Sequence, residues 1–203
     1  HYLSDLGVNP EDYNTYGARR GNHEVLMRGT FANPRLHNNL VDRQGGYTKH
    51  VPSGKFLSIY EAAQRYKGEN CPLIILAGKQ YGAGSARDWA AKGTYLLGVK
   101  AVIAESFERI HRTNLAMIGI LPLQFKEGDS WQRLGLTGGE VYTIFGLDDP
   151  LYPHKTLKVV ADNGAEQINF QVILRLDTRF EIENYLSGGI FQKVIQDLKS
   201  NWP

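Results

Sequence analysis

Residues 72–104, PLIILAGKQYGAGSARDWAAKGTYLLGVKAVIA, contain the clearest structural pattern of the chain. Residues 72–78 are a short apolar run with a glycine at its exit, which is typical of a fully buried strand. After a glycine-rich turn, the pattern predicts a helix over residues 86–97 that ends near Gly98. Val99–Ala104 then predicts a second buried strand. A strand, a helix and a strand in this order indicate two parallel strands joined by a crossover helix.

The same alternation of helices and strands continues on both sides of this segment. Upstream, Ser58 and Glu61 form a Ser-x-x-Glu capping box, in which each side chain satisfies a backbone N–H group of the other residue. The apolar stripe of the helix that follows consists of Ile59, Ala62, Ala63 and Tyr66. Downstream, residues 106–118 predict a second strong helix and Leu121–Phe125 a third strand. The middle of the chain therefore predicts a parallel or mixed sheet with crossover helices.

The part of the chain after Gly128 has a different pattern. It predicts β-strands at residues 143–145, 156–160 and 169–176, separated by turns that contain Gly, Asp or Pro. Residues 162–164, Asp-Asn-Gly, predict a hairpin turn. A closing helix is predicted after the glycine pair at positions 188 and 189, from the spacing of Ile190, Phe191, Val194, Ile195 and Leu198.

The first fifty residues are polar and irregular, with glycines at positions 7, 17, 21, 29, 45 and 46. We expect this segment to form loops and short turns over a core, not an independent domain. The chain has no internal repeat and no low-complexity linker. Residues 1–203 are therefore predicted to form one α/β domain, with a mixed sheet, crossover helices and a β-rich second half.

Charge and composition exclude several classes of function. The 203 residues include 23 Lys and Arg against 21 Asp and Glu, and a net charge of +2 gives no reason to expect DNA wrapping or an anionic membrane surface as partner. No apolar run approaches the ~18 residues of a membrane-spanning helix, and the first residues lack the layout of a signal peptide. We therefore expect no membrane association.

The chain has one cysteine, Cys71. A single cysteine excludes an internal disulfide and favours a reducing, cytoplasmic compartment. It also excludes a cysteine-ligated cluster or structural zinc built by this chain alone, so no metal site is predicted. Because Cys71 stands beside Pro72 at a strand entrance, we expect a small buried apolar side chain rather than a reactive thiol.

Residues 78–89, GKQYGAGSARDW, are the segment most indicative of chemistry. They follow a predicted buried strand and open a predicted helix, whose first turn has unpaired N–H groups and the positive end of the helix dipole. Gly82 and Gly84 let the backbone approach an anion where a Cβ would obstruct it. Ser85 adds a hydroxyl group, and Arg87 adds a guanidinium that matches a carboxylate. The segment therefore predicts a site for a small anion, a carboxylate or a phosphate.

Two common glycine-loop motifs do not fit this segment. The dinucleotide pattern G-x-G-x-x-G needs a glycine where Arg87 stands. A P-loop needs Ser or Thr after Gly-Lys, but Gly78-Lys79 is followed by Gln80. A plain tight turn with Ser85 as helix N-cap, which stabilises a helix by about 1 kcal/mol, remains an open alternative at this point.

Other polar residues allow two interpretations each. Arg19, Arg20 and Arg28 could contact substrate or neighbouring domains, or form ion pairs within the domain. His111 and Asn114 share an apolar helical face, and we expect a buried, hydrogen-bonded pair rather than a metal site.

Four further residues are given structural roles. Asp88 could pair with Lys92 at i+4 or favour the helix start electrostatically. His23 is expected to be structural, and Trp89 and Tyr95 are expected to pack.

Six stretches of the chain together resemble one known family. They are residues 16–25 (YGARRGNHEV), 28–33 (RGTFAN), 81–93 (YGAGSARDWAAKG), 104–112 (AESFERIHR), 119–125 (GILPLQF) and 134–138 (LGLTG). In this combination and order, the chain resembles the C-terminal swivel domain of the aconitase and iron-regulatory-protein family. The resemblance covers nearly the whole chain and is nearest to the cytosolic, bacterial aconitase A type.

This resemblance implies a fold, a reaction and a cofactor. The fold is a swivelling β/β/α domain that closes over a 4Fe–4S cluster held by cysteines of aconitase domains 1–3, on the same or a separate chain. The reaction is that of a lyase of the tricarboxylic acid cycle, which interconverts citrate and isocitrate through cis-aconitate. The domain alone is expected to be inactive and to bind no cluster.

The resemblance also assigns roles within the Gly-x-Gly-Ser-Ser-Arg motif of the family. By position, Ser85 is the catalytic base and Arg87 binds a substrate carboxylate, while Gly84 and Ala86 contact substrate. Two positions depart from the family: Ala86 replaces the second serine, and Leu6 stands where the family has a carboxylate-binding arginine. A lost hydrogen bond to a charged group costs about 1.5–3 kcal/mol, so weaker substrate binding is expected.

Two other functions remain open. Relatives in the iron-regulatory group bind RNA hairpins, so the domain could present an RNA-binding surface, although the net charge of +2 gives no support for one. The departures at Ala86 and Leu6 would also suit a degenerate domain retained for interaction. For the enzyme, the sequence leaves open citrate, 2-methylcitrate or a longer homologue as substrate.

Overall fold

A computed structural model describes residues 1–200, which form seven α-helices and eight β-strands. The helices are α1 (Tyr2–Asp5), α2 (His23–Gly29), α3 (Ile59–Gly68), α4 (Asp88–Leu96), α5 (Arg109–Ile118), α6 (Arg179–Leu186) and α7 (Ile190–Ser200). The strands are β1 (Tyr47–His50), β2 (Lys55–Ser58), β3 (Leu73–Ala77), β4 (Val99–Ala104), β5 (Leu121–Phe125), β6 (Val141–Phe145), β7 (Thr156–Asp162) and β8 (Gln167–Leu174). A short 3-10 helix at Pro10–Asp12 lies between α1 and α2. Within residues 1–200, no helix is both long and apolar enough to cross a membrane.

Six strands form one mixed sheet in the order β3-β4-β5-β8-β7-β6. β3, β4 and β5 are parallel, and α4 and α5 are the crossover connections between them. β8 pairs antiparallel with β5, and β7 and β6 follow antiparallel. These pairings confirm the predicted α/β class, with a mixed sheet, crossover helices and a β-rich second half. β1 and β2 form a separate antiparallel hairpin.

The core lies on both faces of the parallel strands. Neighbouring residues of a strand point to opposite faces, and Val102 and Ile103 of β4 are both fully buried. Val102 belongs to a cluster with Ala91 and Leu115 of the crossover helices, whereas Ile103 belongs to a larger cluster that includes Leu157 of β7. Burial on both faces explains why β4 is a nearly continuous apolar run rather than an alternating one.

Two local signals in the sequence are confirmed. The Ser58 hydroxyl accepts a hydrogen bond from the Glu61 amide at 3.1 Å, and the Glu61 carboxylate accepts one from the Ser58 amide at 3.1 Å. The predicted turn joins β7 to β8, where the Asp162 carboxylate accepts from the Gly164 amide at 2.7 Å. Gly164 has a φ of 87°, a conformation that glycine adopts without strain.

Several predicted boundaries shift. α5 begins at Arg109 instead of position 106, because the Glu108 carboxylate accepts hydrogen bonds from the amides of Ile110 and His111 and thereby caps the helix. The three strands predicted at residues 143–145, 156–160 and 169–176 are Val141–Phe145, Thr156–Asp162 and Gln167–Leu174.

Other parts of the prediction are wrong or incomplete. The sequence predicts β3 as a fully buried strand, but its residues are half-buried because β3 lies at the sheet edge and pairs with β4 alone. The first fifty residues contain helix α2, capped by the Asn22 side chain, besides the expected loops and turns. The sequence pattern also misses β1, β2 and α6, because these short elements contain no continuous apolar run of the kind that indicates β3, β4 and β5.

A buried ion network joins α5 to α6. Both Nη atoms of Arg112 donate to the Glu181 carboxylate, at 2.9 and 3.0 Å, and its Nε lies 3.4 Å from Asp177. Burial alone would raise the pKa of Asp177, but the hydrogen bond from Arg175 and the charge of Arg112 hold it below its usual value. This network ties α5 to α6, and the first turn of α5 contacts the loop described next.

Candidate functional site

The glycine-rich loop at residues 78–87 lies at the carboxyl ends of β3 and β4. Its first half is tied to the segment between β4 and α5: the Tyr81 amide donates to the Ser106 carbonyl at 2.9 Å, and the Glu108 amide donates to the Tyr81 carbonyl at 2.9 Å. The Gln80 amide also donates to the Ser106 hydroxyl at 2.8 Å. In open α/β sheets, ligands bind at this edge, outside the carboxyl ends of the strands.

Ser85 is half-buried near the end of this loop. Its amide donates to the Gly82 carbonyl at 3.0 Å, and its hydroxyl oxygen accepts from the Arg87 amide at 3.3 Å. The helix does not start as predicted at residue 86 with Ser85 as N-cap: α4 begins at Asp88, and its N-cap is Arg87, with no side-chain cap. The prediction of Ser85 as the N-cap of this helix is therefore wrong.

Arg87 has an unusual backbone, with φ 58° and ψ −122°. A residue with a Cβ rarely adopts such angles, and holding one there costs on the order of 1–3 kcal/mol. The side chain is exposed, and its guanidinium has no hydrogen bond or ion pair within residues 1–200. Strained backbone of this kind is concentrated at functional sites, and here it carries a cation that no carboxylate of the described chain neutralises.

Several backbone N–H groups around Arg87 are also free. The amides of Ala83 and Ser85 are used inside the loop, where they donate to the carbonyls of Gln80 and Gly82. In the described part of the chain, no acceptor is present for the amides of Gly84, Ala86, Asp88 and Trp89. Free amides at the start of α4, next to an unpaired guanidinium, are the donor set that a carboxylate or phosphate requires.

The two loop glycines serve different purposes. A Cβ on Gly82, whose φ is 93°, would come closer than 3.0 Å to side-chain atoms of His111, so this glycine is required by packing. A Cβ on Gly84 would meet nothing within 4 Å. The space in front of Gly84 is therefore open to a group from outside the chain.

His111 lies directly beneath the loop and is 3% exposed. Burial lowers the pKa of His111, and the charge of Glu108 opposes that shift. Its Nδ1 atom is buried and has no hydrogen-bond partner within residues 1–200. Asn114 is half-buried and does not bond to it. The prediction that His111 is buried is confirmed, whereas the predicted hydrogen bond between the two side chains is wrong.

The three arginines of the N-terminal segment make contacts within the domain. Arg28 pairs with Glu24 at 2.6 Å, and its guanidinium lies over two tyrosine rings. Arg19 donates to the carbonyls of residues 12 and 13, and Arg20 donates to that of residue 17. Arg20 also lies 5.8 Å from the centre of the Trp89 ring.

The remaining predicted residues lie near the start of α4 or on α2. Asp88 is in the first turn of α4, where its charge favours the helix start, but Lys92 lies over the Trp89 ring at 5.4 Å instead of pairing with it. Tyr95 is half-buried and packs against the cluster around Val102. The exposed His23 is 3.5 Å from Glu24.

The donor set of this chain does not fit an iron–sulfur cluster. Cys71 is exposed, contrary to the prediction, because it lies at the entrance of the edge strand β3. A cubane cluster needs several thiolates. In addition, residues 1–200 contain no group of three or more His, Cys, Asp or Glu side chains placed to hold a metal ion.

Both positions that depart from the resembled family are exposed. Ala86 is next to Arg87 and supplies a free amide but no hydroxyl. Leu6 follows α1 and is 61% exposed. Neither side chain adds a hydrogen-bonding group to the loop.

The residues that hold the loop in place are not among those predicted from the sequence. Glu108 and Tyr81 fix its first half through the backbone contacts above, and burial raises the pKa of Tyr81 far above its usual value. Glu108 caps α5 although glutamate is not among the preferred N-cap residues, so the sequence gives only a weak signal for its role. The closeness of Gly82 to His111 has no such signal, because it joins residues far apart in the chain.

Comparison with known proteins shows strong similarity. The family model described as the aconitase C-terminal domain matches residues 1–128. The chain is 56% identical over 200 residues to aconitate hydratase A of Thermus thermophilus, 55% over 199 residues to that of Pseudomonas aeruginosa, and 50% over 198 residues to that of Bacillus subtilis. Each alignment covers 97% of this chain and 22% of the relative, so the chain spans about a fifth of the length of these relatives.

Among solved structures, the chain is similar to a 3-isopropylmalate dehydratase of Methanocaldococcus jannaschii. The match has a TM-score of 0.44 and 21% sequence identity. It covers 85% of this chain and 90% of the other.

Proposed function

This chain belongs to the aconitase C-terminal domain family, and on that premise we propose that it supplies the base and a carboxylate-binding group of an aconitate hydratase-type lyase. Ser85 takes a proton from the carbon next to a substrate carboxylate, and Arg87 binds a carboxylate of the same tricarboxylic acid. As the C–H electron pair becomes the carbon–carbon double bond, the hydroxyl group leaves the neighbouring carbon with its bonding electrons, and the hydroxide and the abstracted proton together make up the water that is released. The products are cis-aconitate and water, and the reverse addition gives the isomer.

The observation that carries this proposal is the conformation of Arg87 and the lack of a partner for its side chain within residues 1–200. Its backbone is strained, its guanidinium is unpaired within residues 1–200, and the amides on either side have no acceptor there. A charged group held this way at the cost of stability has no structural benefit in the chain itself. A dianionic or trianionic ligand would use the guanidinium and the free amides together.

The surroundings of Ser85 suit a base that must carry negative charge for a moment. A serine hydroxyl is a very weak base in water, so its alkoxide needs hydrogen-bond donors. The Arg87 amide already donates to the Ser85 oxygen at 3.3 Å. The donor therefore lies where the charge develops, in both directions of the reaction.

The loop is open to solvent, which means that other protein must complete the site. Gly84, Ala86 and Arg87 are exposed, and the cavity of about 510 Å³ that runs along β3 includes Tyr81 but none of residues 82–87. Excluding water strengthens every charge interaction at such a site. We therefore propose that the cluster-bearing domains of a cytoplasmic enzyme cover this loop, and that the iron–sulfur cluster is held there and not by this chain.

The test is hydratase turnover of the assembled enzyme, in which this chain works beside the cluster-bearing domains. Ser85→Ala is expected to lower kcat by roughly 10²- to 10⁴-fold with little change in KM, because it removes proton transfer and leaves the guanidinium in place. Arg87→Lys is expected to lower kcat/KM by roughly 10- to 100-fold, because an ammonium cannot form a bidentate bond.

Matched controls are available at exposed positions away from the loop. Ser200→Ala and Arg179→Lys make the same chemical changes, and both should leave kcat and KM at the wild-type values. Wild-type turnover by the Ser85→Ala enzyme would contradict the role of Ser85 as the base. A wild-type kcat/KM for the Arg87→Lys enzyme would contradict the role of Arg87 in binding a substrate carboxylate.

A further inference from the structure

A buried histidine lies under the loop, and neither the reaction nor the packing of the core explains it. His111 is 3% exposed, and its Nδ1 has no partner within residues 1–200. A buried polar atom without a hydrogen bond destabilises a fold, and an apolar side chain at this position would avoid that loss. The histidine therefore needs a reason other than core packing.

The contact between His111 and Gly82 is unusually close. A Cβ built on Gly82 would come closer than 3.0 Å to the Cβ, Cγ and Cδ2 atoms of His111. The glycine backbone thus lies against the edge of the imidazole ring. The Tyr81 ring, 5.3 Å away between centroids, packs on the same imidazole.

A short series of contacts leads from this ring to the proposed base. The carbonyl of Gly82 accepts the Ser85 amide at 3.0 Å, and the Ser85 hydroxyl accepts the Arg87 amide at 3.3 Å. Any shift of Gly82 would therefore move both functional residues.

The two halves of the loop are held differently. Residues 80 and 81 are hydrogen-bonded to the segment before α5 through Ser106 and Glu108. From Gly82 onward, the backbone hydrogen bonds of the loop stay inside the loop until α4 begins. The second half therefore depends on packing, and His111 is the side chain that meets its first residue.

We propose that His111 is a positioning residue: its imidazole forms the platform that fixes the Gly82 turn, and through that turn it places the Ser85 hydroxyl for proton transfer. The proposal rests on the role of Ser85 given above. His111 touches no substrate, and it acts through the backbone of the loop. A displacement of about 1 Å at a reacting group can cost roughly 10²-fold in rate.

The test measures kcat and KM of the assembled enzyme with His111→Ala, Ser85→Ala and the double variant. His111→Ala is expected to lower kcat by roughly 10- to 100-fold with less than about a 3-fold change in KM. In the Ser85→Ala background, the same substitution should have no further effect on kcat, because the group that it positions is gone.

Leu115→Ala is the matched control, since Leu115 is a fully buried residue of the same helix that faces the sheet core. It should lower thermal stability and leave kcat unchanged. If His111→Ala does not fold, His111→Gln provides the same comparison with a larger side chain.

The possible failures are distinct. If Ser85→Ala keeps wild-type turnover, the proposed function is wrong. If Ser85→Ala is impaired but the loss from His111→Ala multiplies with it, or if both His111 variants keep the wild-type kcat, the positioning role is wrong and the proposed function stands.

Discussion

Arg87 has two features that selection for stability alone would not retain. Its backbone lies in a region that favours glycine, and its guanidinium makes no hydrogen bond or ion pair within residues 1–200. If Arg87 binds a substrate carboxylate as proposed, stability and substrate binding make opposite demands on this position. The cost of the backbone strain can be measured as a free energy of unfolding, because substitutions that remove the guanidinium can either keep the strain or relieve it.

The first prediction compares Arg87→Gly with Arg87→Ala in urea unfolding of the chain. Both variants lack the guanidinium, but only glycine relieves the strain at φ 58°. After the greater entropy of an unfolded glycine is subtracted, Arg87→Gly should be more stable than Arg87→Ala by about 1 kcal/mol.

The control for that comparison is Lys92, an exposed residue within α4. There Gly should be less stable than Ala by about 1 kcal/mol, the opposite sign, because the backbone is helical. Equal stabilities of the two Arg87 variants would show that the loop relaxes and that no strain is held at this residue.

The helices and strands show which sequence signals are sufficient to predict structure. The alternation around β3, α4 and β4 could be predicted because the two strands are continuous apolar runs with glycines between them and the helix. The Ser58 cap could be predicted because both of its partners are local. The burial of β3 could not, since edge position depends on strand order. The positive φ at Arg87 could not either, because arginine, unlike glycine or asparagine, gives no signal of such a backbone.

The same reasoning applies to the candidate site. Ser85 and Arg87 could be placed together at the end of a strand, because the loop is a continuous segment with a recognisable pattern. The contact of Gly82 with His111 is a tertiary one, and so is the absence of a partner for Nδ1. The Glu140 carboxylate, next to β6, is another case of a group whose surroundings only the structure reveals.

The pH dependence of stability should reflect Glu140. Burial alone would raise the pKa of this carboxyl, but hydrogen bonds from the amide and hydroxyl of Thr137 and from the Tyr142 hydroxyl lower it to about 2. Its ordinary value is 4.5, so the folded state binds this proton less readily than the unfolded state. The resulting stability, up to about 3 kcal/mol, is present above pH ~4.5 and is lost as the pH falls toward ~2.

Glu140→Gln should therefore lower the free energy of unfolding at neutral pH and flatten its decline between pH ~4.5 and ~2. The measurement is urea unfolding of wild type and variant at several pH values. Glu166→Gln, at the exposed turn between β7 and β8, should leave the wild-type pH dependence intact. Parallel curves for wild type and Glu140→Gln would mean that Glu140 titrates alike in both states.

Under the proposed function, the chain as a whole presents only part of a site. Donors converge at the start of α4, but residues 1–200 provide no wall that would keep water from Ser85 and Arg87. The relatives, of which this chain spans 22%, have the length for further domains that could supply it. Catalysis by this part alone is not expected, because exposed ion pairs are worth only about 0–1 kcal/mol.

The last prediction follows from that openness. The 203-residue chain by itself should show no hydratase turnover, and citrate should perturb the amide resonances of Gly84 and Ala86 only at millimolar concentration, since a few exposed contacts give about 4 kcal/mol or less. Adding the cluster-bearing domains should produce turnover that Ser85→Ala removes. Robust turnover by the chain alone would show that its own residues complete the site, and the proposed division of the active site between domains would then be wrong.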